Sequence, residues 1–225
     1  MRNMQKLLRI AAPLLLGFSA APALASSDTQ YWQTLSVEGS ISDRLVLSNE
    51  TVLRMGGLRG FYEIEDNIML GYKVNPHLTL SLGYTHDPNY FQGSFTVMEH
   101  RLRQQVSIGK LRLGHVTLSA RLRLEERWRE GQSGTGWRLR PQVKLTVPIT
   151  GHTMLVVSHE SFVDLNTVGF QTKSDYERMR NAVAISQPLS KHLSIEVGYL
   201  EQHGFVANAP DTNNHVATMS LSLSL

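Results

Sequence analysis

The chain of 225 residues contains no cysteine. That excludes a disulfide scaffold, a thiolate metal site, a catalytic thiol and a lipid-modified cysteine behind a leader. Beyond the first 25 residues no stretch approaches 18 unbroken apolar residues, so no membrane-spanning helix is expected. No sustained 3.6-residue apolar period runs through the chain, which leaves little room for amphipathic helices. Net charge is lacking too: Arg2, Lys6 and Arg9 lie in an opening segment without acids, and the remainder carries 19 residues of each sign. A balanced chain of this kind is a poor candidate for nucleic-acid binding.

What is present begins with that segment. Its three basic residues precede the apolar run "IAAPLLLGFSAAPALA", which closes on Ala23-Leu24-Ala25. This is the layout of a Sec signal peptide cleaved near Ala25, giving residues 1–25 as leader and 26–225 as one exported domain.

From Tyr31 onward the dominant period is two. Eleven candidate strands fall at 31–39, 44–55, 61–74, 78–86, 95–108, 115–128, 137–147, 153–163, 176–187, 193–203 and 214–225. Short turns such as "VNPHL", "PITGH" and "QPLSKHL" alternate with longer polar connections such as "HDPNYFQG", "REGQSGTG", "DLNTVGFQTKSD" and "GFVANAPDTNN". Short turns on one side and long loops on the other is the pattern of outer-membrane barrels, with the turns in the periplasm and the loops outside.

The expected fold is therefore an all-β antiparallel transmembrane barrel of 10–12 strands, twelve being preferred because an odd count does not close an ordinary antiparallel barrel. The near-repeats "HLTLSLGY" and "HLSIEVGY" each end in a tyrosine, and Tyr84, Tyr199, Trp128 and Trp137 are expected in an aromatic girdle. The final segment 214–225 alternates aliphatic and small polar residues up to Leu225, the form of a strand read by the outer-membrane assembly machinery, although most such signals end in an aromatic residue.

If leucines face lipid, guanidiniums face the lumen. The stretch "SARLRLEERWRE" (119–130) shows the alternation plainly. Expected inward are Glu99, Arg101, Arg103, Arg121, Arg123, Glu125, Arg127, Arg138, Arg140, Lys144, Glu160, Arg178 and Arg180, with Glu38, Glu50, Glu63, Glu65 and Glu196 as further acids. They imply either a lumen filled by arginine–glutamate pairs or a narrow passage favouring anions. The opposite barrel, a soluble periplasmic lipocalin-like carrier with leucines inside, has the same alternation.

A different chemistry comes from "VVSHESF" (156–162). His159 and Ser161 share the face of Leu155, Val157 and Val163, whereas Glu160 takes the other. A His-x-Ser pair on a lipid-facing strand resembles the outer-membrane lipid A deacylases, in which histidine is general base for a serine nucleophile; the same site would suit phospholipid deacylation. The acid that would orient His159 is not evident. The remaining histidines have no metal-ligand spacing, and "MGGLRG" (55–60) reads as a loop between strands, so no metal or cofactor is expected.

In order and spacing, "EHRLRQQ", "RLRLEERW", "WRLRPQV", "SHESF" and "RMRNAV" resemble an outer-membrane β-barrel family of Gram-negative bacteria catalogued as a domain of unknown function. The resemblance implies the barrel, an outer-membrane location, and contact with membrane lipids and lipopolysaccharide. It implies no activity and carries over no catalytic residues.

Overall fold

A computed structural model describes residues 26–206 and 209–225, so the expected leader lies outside the described residues. Alternating side chains commit the sequence to strands, and eleven form: β1 (Ser26–Ser40), β2 (Leu45–Gly56), β3 (Gly60–Asn75), β4 (Leu78–Phe91), β5 (Ser94–Leu113), β6 (Val116–Arg129), β7 (Gly136–Thr150), β8 (Thr153–Asp164), β9 (Tyr176–Pro188), β10 (Leu193–Gly204) and β11 (Thr212–Ser224). Each pairs antiparallel with its sequence neighbours, and β1 pairs with β11 to close a barrel.

Eleven lies within the expected range and one below the preferred twelve. The odd count closes because the β1–β11 seam is parallel, in register from Ser26↔Thr212 to Glu38↔Ser224. One parallel pair is the geometric requirement for closing an odd number of otherwise antiparallel strands. Its consequence is that Ser26 lies at the long-loop end and Leu225 at the other.

The two ends differ as the spacing predicts, with one correction. "HDPNYFQG" is not a long loop: β4 runs on to Phe91 and turns back through Gln92 and Gly93, at φ 50° and 81°. Positive φ at both positions is the hairpin turn that matches strand twist, so pairing extends to the tip. The long connections at this end are residues 130–135, 165–175 and 205–211. At the opposite end, Ser42 Oγ, Asn75 Oδ1 and Ser190 Oγ each accept a hydrogen bond from the backbone N–H that starts the next strand.

The faces sort cleanly. Leu70, Leu80, Leu82, Leu122, Val143, Ile185 and Val197 are exposed outside, at 44–56%. Arg103, Glu125, Glu99 and Asp87 inside are fully buried. The expectation of a lipocalin-like carrier is thereby corrected: it needs leucines around an internal ligand, and the interior is ionic. Two bulges enrich that interior. The register shifts at Arg54/Met55 and Phe162/Val163 leave Tyr62 and Glu177 without opposing residues, so both turn inward beside Glu63 and Arg178.

Gly198 on β10 lies tight against β9, opposite Ala184. A Cβ there would collide with the Val183 carbonyl oxygen and stand 2.5 Å from Ala184 Cβ. Gly198→Ala is expected to cost about 1–3 kcal/mol through forced backbone displacement. The check is a lowered urea midpoint for loss of β-structure by circular dichroism; an unchanged midpoint would refute the close approach.

Candidate functional site

The basic side of the interior is built by alternation, chiefly on β5, β6, β7 and β9. Arg101 and Arg103 on β5, Arg121, Arg123, Arg127 and Arg129 on β6, Arg138 and Arg140 on β7, and Arg178 and Arg180 on β9 point inward, joined by Arg54 on β2, with Arg59 at the mouth. The carboxylates among them are Glu63, Glu65, Asp87, Glu99, Glu125, Glu160, Asp164 and Glu177.

Three carboxylates act as nodes. Glu99 accepts from Arg101 Nε at 2.7 Å, Arg127 Nε at 2.9 Å and Arg129 Nη2 at 2.7 Å. Glu125 accepts from Arg138 Nη2 and Arg140 Nη1, both at 2.7 Å, and lies 3.1 Å from Arg103 Nε. Glu160 accepts from Arg121 Nη2 at 2.6 Å and Arg140 Nε at 3.1 Å, with Arg180 Nη1 at 4.0 Å. A carboxylate has about four lone-pair directions, so one acid can serve several guanidiniums. Further in, Arg103 Nη2 donates to Glu65 at 2.5 Å and Arg103 also bonds Asn67, while Arg101 bonds Asp87.

Aromatic rings take up part of the remaining positive charge. Phe162, 1% exposed, has the guanidinium carbons of Arg138, Arg140, Arg178 and Arg180 within 4.4–5.4 Å of its ring centre. Arg54 and Arg180 lie 4.5 and 4.6 Å from the Trp32 ring. The negative π face attracts cations without a second carboxylate. Trp32 is itself held by Nε1–H donation to Tyr62 Oη (2.8 Å) and Gln30 Oε1 (3.0 Å).

Every lumen residue expected from the alternation is found facing inward, though not equally buried. Lys144 and Glu196 face each other at 3.7 Å in the more open half near the short turns, and Glu38 lines a cavity of about 500 Å³ there. On the other side of the network a cavity of about 270 Å³ opens toward the long loops. Residues 165–175 fold back over part of this mouth: Gln171 is buried and accepts from Arg127 Nη1 at 3.1 Å, and Phe170 lies over Arg127 and Arg129. The sequence reading missed this loop plug, Trp32, Tyr62 and Phe162; the inward parity of Phe162 beside Glu160 was the available signal.

The expected girdle residues all face outward. Trp128 Nε1–H donates to Thr135 across the loop that it shares with Trp137. Each tyrosine is paired with a histidine 16 residues later: Tyr84 Oη to His100 Nδ1 at 2.5 Å, and Tyr199 Oη to His215 Nδ1 at 2.6 Å. The near-repeat thus extends to two matching hairpins, β4–β5 and β10–β11.

His159 and Ser161 are also outside, in the half of β8 nearer the long loops, and they touch. His159 Nε2 is 3.0 Å from Ser161 Oγ, and Nδ1 is 2.7 Å from Asn181 Oδ1 on β9, its register partner. Tyr176 Oη lies 2.5 Å from Ser161 Oγ. With Nδ1–H donating to the Asn181 oxygen, Nε2 is free to accept the serine proton, the order of contacts a serine nucleophile requires. The orienting group is an amide, not the acid looked for in the sequence. Among the described residues no cluster of histidine and acidic side chains could hold a metal.

A model of one protein family matches residues 29–214. The chain belongs to that family, described as Protein of unknown function (DUF2490). An uncharacterized protein of Methylorubrum extorquens is 26% identical over 222 residues, covering 96% of each chain. No solved structure matches. The family match spans the charged strands β5 to β9 entire and the outer His159–Ser161–Asn181 contact with them.

The Glu125 node offers the sharpest perturbation. Glu125→Gln removes the charge that faces three buried guanidiniums, and about 3–5 kcal/mol of stability is expected to go with it. Urea unfolding of the folded barrel measures this; a change below about 1 kcal/mol would mean that the node does not hold the lumen together.

Proposed function

We propose that this chain is an outer-membrane β-barrel of a Gram-negative bacterium, exported behind a leader cleaved near Ala25, with a lumen closed by its own side chains. The carrying observation is the inversion of the barrel: aliphatic side chains outside, a dense ionic network inside. A continuous outer surface of leucine, valine and isoleucine is costly in water and favourable in hydrocarbon. In the same reading, membrane lipids and lipopolysaccharide surround the outer face, and residues 214–225 engage the assembly machinery before the seam closes. Such a barrel is structural or presents its long loops, and a narrow anion passage would need the nodes at Glu99, Glu125 and Glu160 to move.

The absence of cysteine makes the test direct. In whole cells a membrane-impermeant maleimide is expected to label Gln132→Cys in a long loop and Ser27→Cys at the start of β1, and to spare Lys191→Cys in a short turn. Equal labelling of all three in the periplasmic fraction would end the membrane reading. The purified barrel is expected to give no steady single-channel conductance in planar bilayers; a stable open level would restore the pore.

A second reading is favoured by one observation, the hydrogen-bonded order Asn181–His159–Ser161 on the outer face. It supports acyl-ester hydrolysis in the outer leaflet, on lipid A or phospholipid. Ser161→Ala is expected to keep the heat-modifiable fold and abolish an acyl-chain change seen by mass spectrometry of outer-membrane lipids. Identical lipid profiles with and without the protein would dispose of this activity and leave the structural reading intact.

A further inference from the structure

The geometry points to an anion-binding site for a phosphate group in the cavity between the charged network and the long loops. This cavity, of about 270 Å³, is lined by nine arginines and three glutamates, with Phe162 at its wall. Part of that imbalance is met from behind by carboxylates outside the lining: Asp87 bonds Arg101, and Glu125 and Glu177 bond Arg138. The balance is still uneven, because apart from Lys144, Glu38 and Glu196 in the open half near the short turns, the interior and its mouth hold twelve guanidiniums against nine carboxylates, the eight named above and Glu50. The excess is not spread evenly either, and it collects at the cavity.

Arg180 is the centre of the excess. Its Nε–H donates to Gln202 Oε1 at 2.8 Å, an uncharged partner, and its nearest carboxylate oxygen, on Glu160, is 4.0 Å away. That acid is already engaged by Arg121 and Arg140. Arg54, which shares the Trp32 ring with Arg180, is paired with Glu63 and Glu65 through its Nη atoms and keeps a buried Nε without a hydrogen-bond partner. Arg59 at the mouth has no carboxylate within 4.0 Å among the described residues and lies 4.3 Å from the Tyr62 ring. Like charges held close in a low-dielectric enclosure favour an anion between them.

The chemistry of the donors selects the class. Guanidiniums present planar pairs of N–H groups that match the oxygens of phosphate two at a time, which a point-like halide cannot exploit. The volume is small, suiting a phosphate with at most a short substituent, and the opening toward the long loops suits a phosphate brought in on a larger molecule. A free phosphate ion and a phosphate carried on a lipid share this recognition.

The test uses the full barrel purified in an uncharged maltoside detergent, with electrophoretic heat modification as the criterion of folding. Titration calorimetry is run with inorganic phosphate and with short-chain phosphatidic acid, in buffers of matched chloride. Saturable one-to-one binding of either probe is expected, weakened about tenfold or more by Arg180→Gln and by Arg59→Gln. Saturation by inorganic phosphate assigns the free ion, and saturation by phosphatidic acid alone assigns the lipid-borne group. Absence of saturable binding to both probes, or equal displacement by chloride, overturns the proposal. So does unchanged affinity in the folded variants. Arg59 stands exposed at the mouth, so its variant keeps the test decisive if Arg180→Gln fails to fold. The result does not depend on where in the cell the barrel resides.

Discussion

Guanidiniums closed into a barrel need carboxylates that reach several of them at once, and that requirement governs the structure. Burying an isolated ion costs several kcal/mol even after relaxation, and removing one partner of a buried pair leaves that cost uncovered. Glu99, Glu125 and Glu160 answer it by each gathering arginines from more than one strand. The cross-strand bonds tie β5, β6, β7 and β8 to one another through the lumen as well as through the backbone ladder. The bulges at Tyr62 and Glu177 follow the same logic, since each places an additional polar side chain inside where the arginine density is highest.

The outside is organised by a weaker set of polar contacts. Tyr84–His100, Tyr199–His215 and Asn181–His159–Ser161–Tyr176 all link neighbouring strands on the aliphatic face. A hydroxyl or imidazole among leucines is tolerable only when its hydrogen bonds are met, and each of these groups meets its partner laterally. The local similarity of the three arrangements bears on His159: the same geometry serves strand-to-strand satisfaction and proton transfer, and Ser161 is the member that adds a nucleophile.

Much of this was legible in the sequence. The alternation in "SARLRLEERWRE" suffices to pair arginine with one face and leucine with the other, and the loop asymmetry indicates which barrel orientation suits it. Which face is inside does not follow from alternation alone; the expected leader and the tyrosine-ended strands favour leucines outside, and the structure has them there. Asn181 was not legible, because its contact with His159 depends on the β8–β9 register across an intervening loop of eleven residues. The partition of Phe162, Trp32 and Tyr62 into the lumen was hidden for a related reason. Apolar residues on an inward face contradict simple alternation; the guanidiniums stacked on Phe162 and Trp32, and for Tyr62 the bulge on β3, account for their position. The parallel seam was suggested only by an arithmetical difficulty, the odd count, since no local signal distinguishes a strand destined for a parallel partner.

That seam has a consequence for the order of events during biogenesis. β1 leaves the ribosome first among the strands, and its second hydrogen-bonding partner, Thr212–Ser224, is made last. Until β11 is made, one edge of the first strand is therefore unsatisfied, a template on which stray chains can add. Closure joins segments about as far apart as the chain permits, so its entropic toll is met only at the end. The alternating Ser and Leu of the last strand is the piece that finally covers that edge.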